Sequence, residues 1–284
     1  MKYYLILLIF VNICSFSADV LIMTQAYNQP DFIEMQVKGF RKFLVDDYEF
    51  VVFNDAKIPT LANEIAMTCK NLGIRCIPIP QQIHTSQAAG DRHSDCIKYS
   101  LDRIGFAHEG IVCIIDSDMF LIKPFSISKF LNEFDIAAVD QFREPNIHYL
   151  WPGLVFINMK TIPNKQNINW KGGKINGIPV DTGGQTYHYV KNNPLARVEY
   201  INNYSTLKLL CPTCQKNKNL LCTHNNQILE EAGFDPTGPI RQLIQNENWP
   251  LFLDFHFVHF YAGSWLPNRP SRKITLKQFF DLIE

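Results

Sequence analysis

The chain has 284 residues, 46% of them hydrophobic, with 27 basic and 27 acidic side chains. That length and apolar content suffice for one large core. The even charge, with no Lys/Arg run to neutralise a polyphosphate backbone, argues against nucleic acid as a partner, and a composition of 13% aromatic and 19% charged residues without an internal repeat excludes a disordered or repeat protein.

The N-terminus carries one lysine, an apolar run over 3–13 broken only by Asn12, and then the small residues Ser15, Ser17 and Ala18. This is the layout of a secretory signal peptide, with an apolar core too short to span a bilayer comfortably. Residues 1–18 are expected to be a signal peptide cleaved near Ser17 or Ala18, or an uncleaved anchor that gives membrane association through the N-terminus. The implied location is the secretory pathway, the periplasm or a membrane face. Residues 19–284 are expected to form a single domain with a cysteine-bearing insertion at about 205–226. Of the eight cysteines, Cys14 lies in the leader, and the odd remainder cannot form a complete disulfide framework. Cys113, inside an apolar run, reads as a small buried thiol.

Val20-Leu21-Ile22-Met23-Thr24 is an apolar run of strand length, and Phe32, Met35, Phe40 and Phe43 predict an amphipathic helix over 31–44. The unit recurs with a strand over 49–53, a helix over 60–72, a strand over 75–78 and a helix over 91–104. A fully apolar strand over 111–115 then ends in Asp116-Ser117-Asp118. Strands alternating with helices at this spacing predict an α/β fold, a Rossmann-like, mostly parallel sheet with helices on both faces. Beyond it the pattern predicts a helix at 128–132, strands at 135–139 and 153–158, and Gly- and Asn-rich loops after Thr161. A helix after Asp181, a last strand over 255–260 and a terminal helix from about Thr275 complete the reading.

In such sheets ligands bind outside the carboxyl ends of the strands, where loops and helix N-termini converge. Asp116 and Asp118 sit at such an end, and side chains two apart on an extended chain point the same way. Hard carboxylate oxygens on an open turn suit Mg2+ or Mn2+, which keep several waters and also bind substrate phosphates. The plain alternative is a solvated turn, but Met119-Phe120-Leu121-Ile122 returns the chain directly to the core.

Ile114-Ile115-Asp116-Ser117-Asp118-Met119-Phe120-Leu121, then Trp151-Pro152-Gly153-Leu154-Val155-Phe156-Ile157-Asn158, then Val258-His259-Phe260-Tyr261-Ala262-Gly263-Ser264 resemble the motif order of GT-A fold glycosyltransferases of the glycogenin and lipopolysaccharide galactosyltransferase type. The resemblance implies a GT-A catalytic domain, a nucleotide-sugar donor, a glycan, lipid or protein acceptor, and a divalent metal, Mn2+ or Mg2+, bridging the donor diphosphate. It makes Asp116 and Asp118 metal ligands, with Ser117 between them, and His259 the third; the alternative for His259 is a buried core histidine, and His256 is the competing residue on the opposite strand face. Gly263 falls in the late donor-binding motif, one residue later than in glycogenin-like enzymes, and Trp265-Leu266-Pro267 follows without a lysine. Arg269, Arg272 or Lys273 would then make the phosphate contact. The resemblance also puts the nucleotide base at the exit of the first strand, where Tyr27 would stack on it or merely cap the sheet. A ribose or phosphate contact would come from Arg92 or Lys98, unless that helix face is a solvated ion-pair face.

Asp181-Thr182-Gly183-Gly184-Gln185 precedes the helix that holds Tyr187. Asp181 reads as an N-cap or as the general base for an acceptor hydroxyl, and in a retaining reaction Asp181 or Gln185 would lie near the sugar. Cys211, Cys214, Cys222 and His224 supply three thiols and an imidazole that could close a tetrahedral structural Zn2+ site, with a disulfide or unpaired thiols as alternatives. Two other functions compete. A nucleotidyltransferase of related topology would want a Gly-rich basic loop after the first strand, and 24–30 has neither a glycine nor a basic residue. A noncatalytic sugar-nucleotide or glycan-binding protein derived from the fold is the other.

Overall fold

The computed structural model of the protein describes residues 18–205, 227, 230, 233–235, 250–260 and 280–281. β1 (Val20–Ala26) is buried along its whole length, as a central strand of a parallel sheet must be. α1 (Pro30–Phe43) starts on a proline, whose missing N–H costs nothing there, with Asp31 in its first turn and Arg41 and Lys42 in its last, each matching the helix dipole. β2 (Tyr48–Asn54), α2 (Pro59–Leu72) and β3 (Arg75–Pro78) repeat the unit. α3 (Ala89–Arg103) leads into β4 (Ile111–Asp116), a two-residue turn and β5 (Met119–Leu121). There follow α4 (Ile127–Leu131), β6 (Ile136–Arg143) and β7 (Ile147–Asn158). The remaining elements are β8 (Gly173–Ile175), β9 (Ile178–Val180), α5 (Thr186–Asn192), β10 (Val198–Ile201), β11 (Asn203–Ser205), β12 (Pro250–Leu253) and β13 (Phe257–Phe260).

The large sheet runs β10-β6-β7-β4-β1-β2-β3. All its neighbouring strands pair in parallel except at β7, which is antiparallel to both β4 and β6. Alternate residues feed two apolar layers. Ile22, Val52 and Phe156 pack with Ile33 and Phe40 of α1 and Ile65 of α2. Met23, Phe53 and Ile114 pack with Ile97 and Leu101 of α3 and Tyr189 of α5. The expected fold class is therefore the observed one, and Cys113 is a buried free thiol. Among the described residues no helix is long and apolar enough to cross a membrane.

Strand order reverses at β1: the chain steps outward through β2 and β3 on one side and returns to place β4 on the other. The carboxyl ends of β1 and β4 thus flank the switch point, with Gln25 opposite Asp116. A second sheet, β11-β12-β13-β5, is antiparallel and abuts this end. The Asp116-Ser117-Asp118 segment is the place where the chain leaves one sheet for the other.

Several boundaries differ from the sequence reading. The strand expected at 153–158 begins at Ile147, and its partner extends to Arg143. Register shifts where Ala138 faces Val155 while Val139 faces Trp151, so Pro152 falls in a bulge where β6 asks for no N–H. The segment read as loop after Thr161 contains the β8–β9 hairpin, whose Asn176-Gly177 turn has φ of 51° and 83°, the paired positive values of a tight hairpin turn. The last strand begins at Phe257, because Asp254 and Phe255 take positive φ in a turn. Only Phe280 and Asp281 of the expected terminal helix are described, and both are helical.

Candidate active site

The site forms from the β4–β5 turn outward. Gln36, fully buried on α1, donates its side-chain amide to the carbonyls of Asp116 at 2.9 Å and Met119 at 3.1 Å. The turn is thereby pinned from below while its carboxylates face outward. β13 pairs with β5 so that His259 lies opposite Met119, and Phe260 N donates to Asp118 O at 2.9 Å. That register carries His259 Nε2 to 3.2 Å from Asp118 Oδ1. The His259 ring, almost fully buried, packs on the Trp151 indole at 5.1 Å.

Asp116, Asp118 and His259 each offer a ligand atom, and these atoms lie within 4.8 Å of one another. Ligands on opposite sides of an ion held at about 2.1 Å are about 4.2 Å apart, so atoms within 4.8 Å of one another would close by at most about 0.6 Å to share one cation. Two carboxylates and an imidazole are a donor set that fits Mn2+, and Mg2+ less closely, since the smaller ion favours oxygen. His256, the competing residue, points elsewhere: its Nδ1 lies 2.6 Å from Asp254 O and its ring packs on Phe125.

Across the turn, His93 of α3 places Nε2 3.0 Å from Asp116 Oδ1. Charge is shared among these groups. Burial alone would lower the pKa of His259, but Asp118 in contact and Asp116 nearby outweigh it and hold the imidazole above its ordinary value. For His93 burial again acts downward, and Asp116, then Asp118 and Asp181, raise the pKa above the ordinary value. Burial pushes the Asp116 carboxyl upward, yet His93 and then His259 bring it below the ordinary carboxylate range. Carboxylates held this close need compensating positive charge, which protonated imidazoles or a divalent cation can supply.

A cleft of about 300 Å³ opens over the turn, at the lower end of the roughly 300–1,000 Å³ of small-molecule sites. Tyr27, Arg92, Asp116, Ser117, Asp118 and Asp181 all line it, so most of the residues expected at the site do come together. Arg92 is buried: one guanidinium nitrogen donates to Asp55 Oδ2 at 2.7 Å and to Gln81 Oε1 at 3.2 Å. The other, NH1, is buried without a hydrogen-bond partner. The Tyr27 ring lies 5.6 Å from the guanidinium carbon. Asp55 also meets His84 Nε2 at 2.8 Å.

Asp181 is held by the loop around it, accepting from Thr182 N at 2.7 Å, while Thr182 Oγ1 donates to Gly90 O of α3 at 3.3 Å. Asp181 does not cap α5; the residue before that helix is Gln185. Gly183 has a φ of 90°, and a Cβ there would lie 2.2 Å from Leu150 O, so the glycine admits a close approach to β7.

Two expected residues are not brought to the cleft. Lys98 pairs with Asp102 at 2.6 Å, with its side chain 69% exposed. At about 100° per residue, Arg92 and Lys98 lie about 120° apart around α3 and cannot share its cleft face. Gln185 directs its side-chain amide to Gly172 O at 3.5 Å and does not line the cleft. Gly263, the proposed zinc set Cys211, Cys214, Cys222 and His224, and the basic residues Arg269, Arg272 and Lys273 lie outside the described residues.

His93, Asp55, His84 and Gln36 were not legible as site residues. Asp55 follows the carboxyl end of β2, so the strand-end rule that marks Asp116 would have marked it too. His93 is next to Arg92, but nothing in its spacing separates it from a solvated helix face.

Compared with protein-family models and with curated proteins, the sequence matches none. Among solved structures, the chain is similar to a mannosyltransferase from Pyrobaculum calidifontis in complex with GDP-Man and Mn2+, at 12% identity and a TM-score of 0.42, over 66% of this chain and 55% of that one. It therefore spans little more than half of that protein. It is also similar to the galactosyltransferase LgtC in complex with donor and acceptor sugar analogues, at 14% identity and a TM-score of 0.45, over 92% of this chain and 94% of that one. An active-site mutant of LgtC is similar at 15% identity and a TM-score of 0.46, over 93% and 95%. The likeness is in the fold alone, and the chemistry of the site is read from this chain's own residues.

Proposed function

We propose that this chain is a metal-dependent glycosyltransferase that moves a sugar from a nucleoside diphosphate donor to a hydroxyl acceptor. The observation that carries the reading is the Asp116, Asp118 and His259 cluster at the strand-order reversal, where α/β sheets bind ligands. These residues would hold Mn2+ or Mg2+, which when bound supplies positive charge to the donor diphosphate and stabilises it as a leaving group. Arg92, held by Asp55 and lining the cleft, would bind a phosphate or ribose oxygen. Tyr27 beside it offers a face for the base.

In the reaction the bond from the anomeric carbon to the diphosphate oxygen breaks and one to the acceptor oxygen forms. Asp181, on the rim of the cleft, would take the acceptor proton if configuration inverts, or lie near the sugar if it is retained. The test is a screen of sugar nucleotides for Mn2+-dependent hydrolysis and thermal stabilisation. A donor that is hydrolysed only with metal supports the proposal. Stabilisation by sugar nucleotides without any hydrolysis would instead indicate a binding protein, and no response to any donor would overturn the reading.

A further inference from the structure

His93 belongs to the cleft but not to the proposed ligand set. It projects from the second turn of α3, its Nε2 is 3.0 Å from Asp116 Oδ1, and it is absent from the group of ligand atoms that lie within 4.8 Å of one another. We propose that His93 is a positioning residue for the metal site: its Nε2–H donates to Asp116 Oδ1, fixes the rotation of that carboxylate and leaves Oδ2 to the cation. The proposal rests on the metal-site reading above.

Three contacts support it. The backbone of the metal turn is already held from α1, where Gln36 donates to Asp116 O, so the remaining freedom of Asp116 is in its side chain. The helix that carries His93 is itself held, by the Arg92–Asp55 pair at 2.7 Å and by Thr182 on Gly90 O. A rigid donor therefore meets a ligand whose backbone is already fixed. Carboxylates that ligate metals are commonly hydrogen-bonded in this way, and losing such a partner costs about 10- to 100-fold in metal affinity.

The test is direct Mn2+ binding, read from the electron paramagnetic resonance of free Mn2+, in the wild type and in His93→Leu, His93→Gln and Asp118→Asn, with metal-free melting of each. The expected result is Mn2+ binding weakened about 10- to 100-fold in His93→Leu and restored to within about 3-fold in His93→Gln, whose amide can donate from a similar position. Asp118→Asn should lose measurable binding. Wild-type affinity in His93→Leu, with binding lost in Asp118→Asn, overturns the positioning role and leaves the metal site standing. A His93→Gln variant as weak as His93→Leu also overturns it, because donation would not be the function. Wild-type binding in Asp118→Asn removes the metal site and the proposal with it. If melting shows that His93→Leu does not fold, His93→Asn, whose amide is too short to reach Asp116, takes its place.

Discussion

His259 on β13 lies opposite Met119 on β5, and this register alone brings its Nε2 to 3.2 Å from Asp118 Oδ1. The third ligand of the proposed metal site thus comes from a different sheet than the strand that ends in Asp116. A slip of one residue would turn the imidazole to the other face.

Because His259 would ligate through a neutral ring, its loss should be felt in metal binding and not only in packing. His259→Ala is expected to weaken Mn2+ and donor binding together, while the lost contact with Trp151 lowers the melting temperature. Calorimetric titration of Mn2+ decides this. An unshifted affinity with only the melting temperature reduced would make His259 a core residue.

The metal-free protein should be most stable on the mildly acid side of neutrality. His259 and His93 have pKa values raised above 6.5, so their contribution is complete below that value and is lost as pH rises through the raised ones. Asp116 is lowered from 3.8; its contribution is present above that value and lost as pH falls through the lowered one. Stability is expected to peak between the two ordinary values and decline toward alkaline pH. Mn2+, which competes with the proton on the proposed ligand His259, should stabilise the protein more as pH rises. Melting curves across this range, with and without Mn2+, check the sign; a metal effect that shrinks with rising pH would contradict it.

Gln36→Leu should act at a distance from the cleft. It removes two hydrogen bonds to the carbonyls of the metal turn and leaves them buried, at a cost of about 1–3 kcal/mol. Chemical denaturation measures the stability loss, and a parallel Mn2+ titration should show weaker binding. A variant with unchanged Mn2+ affinity would mean that the turn holds its shape without this brace.

Gly183→Ala is expected to destabilise by more than about 1 kcal/mol, because the residue has a φ of 90° and its Cβ would strike Leu150 O. The relief of that contact should displace Asp181, so turnover should fall further than donor binding. Equal losses in both would argue against a role for Asp181 in the chemical step.

Much of this architecture could be read from the sequence because fully buried parallel strands are written as unbroken apolar runs, and 111–115 ending in Asp116-Ser117-Asp118 is such a run. Only the second half of β7 is legible in the sequence, because Pro152 argues against a strand unless a bulge removes the need for its N–H. The β8–β9 hairpin is signalled only by Asn176-Gly177 between Ile175 and Ile178, in strands too short to show alternation. At the site, Asp116, Asp118 and His259 stood on motif order, whereas His93 and Asp55 depend on how α3 is rotated against β2 and β4. Lys98 shows the same limit: it shares a helix with Arg92 but not a face. The Cys211, Cys214, Cys222 and His224 cluster lies outside the described residues, and the proposed Zn2+ site there stands as an expectation.

The most direct measurement is calorimetric binding of UDP and GDP to the wild type and to Asp118→Asn, each with Mn2+ and with a chelator. If Asp116, Asp118 and His259 hold the cation that receives the diphosphate, at least one nucleotide should bind the wild type only with Mn2+, and Asp118→Asn should lose that binding. A nucleotide that binds equally well with chelator, or equally well to Asp118→Asn, would contradict a metal-bridged donor site.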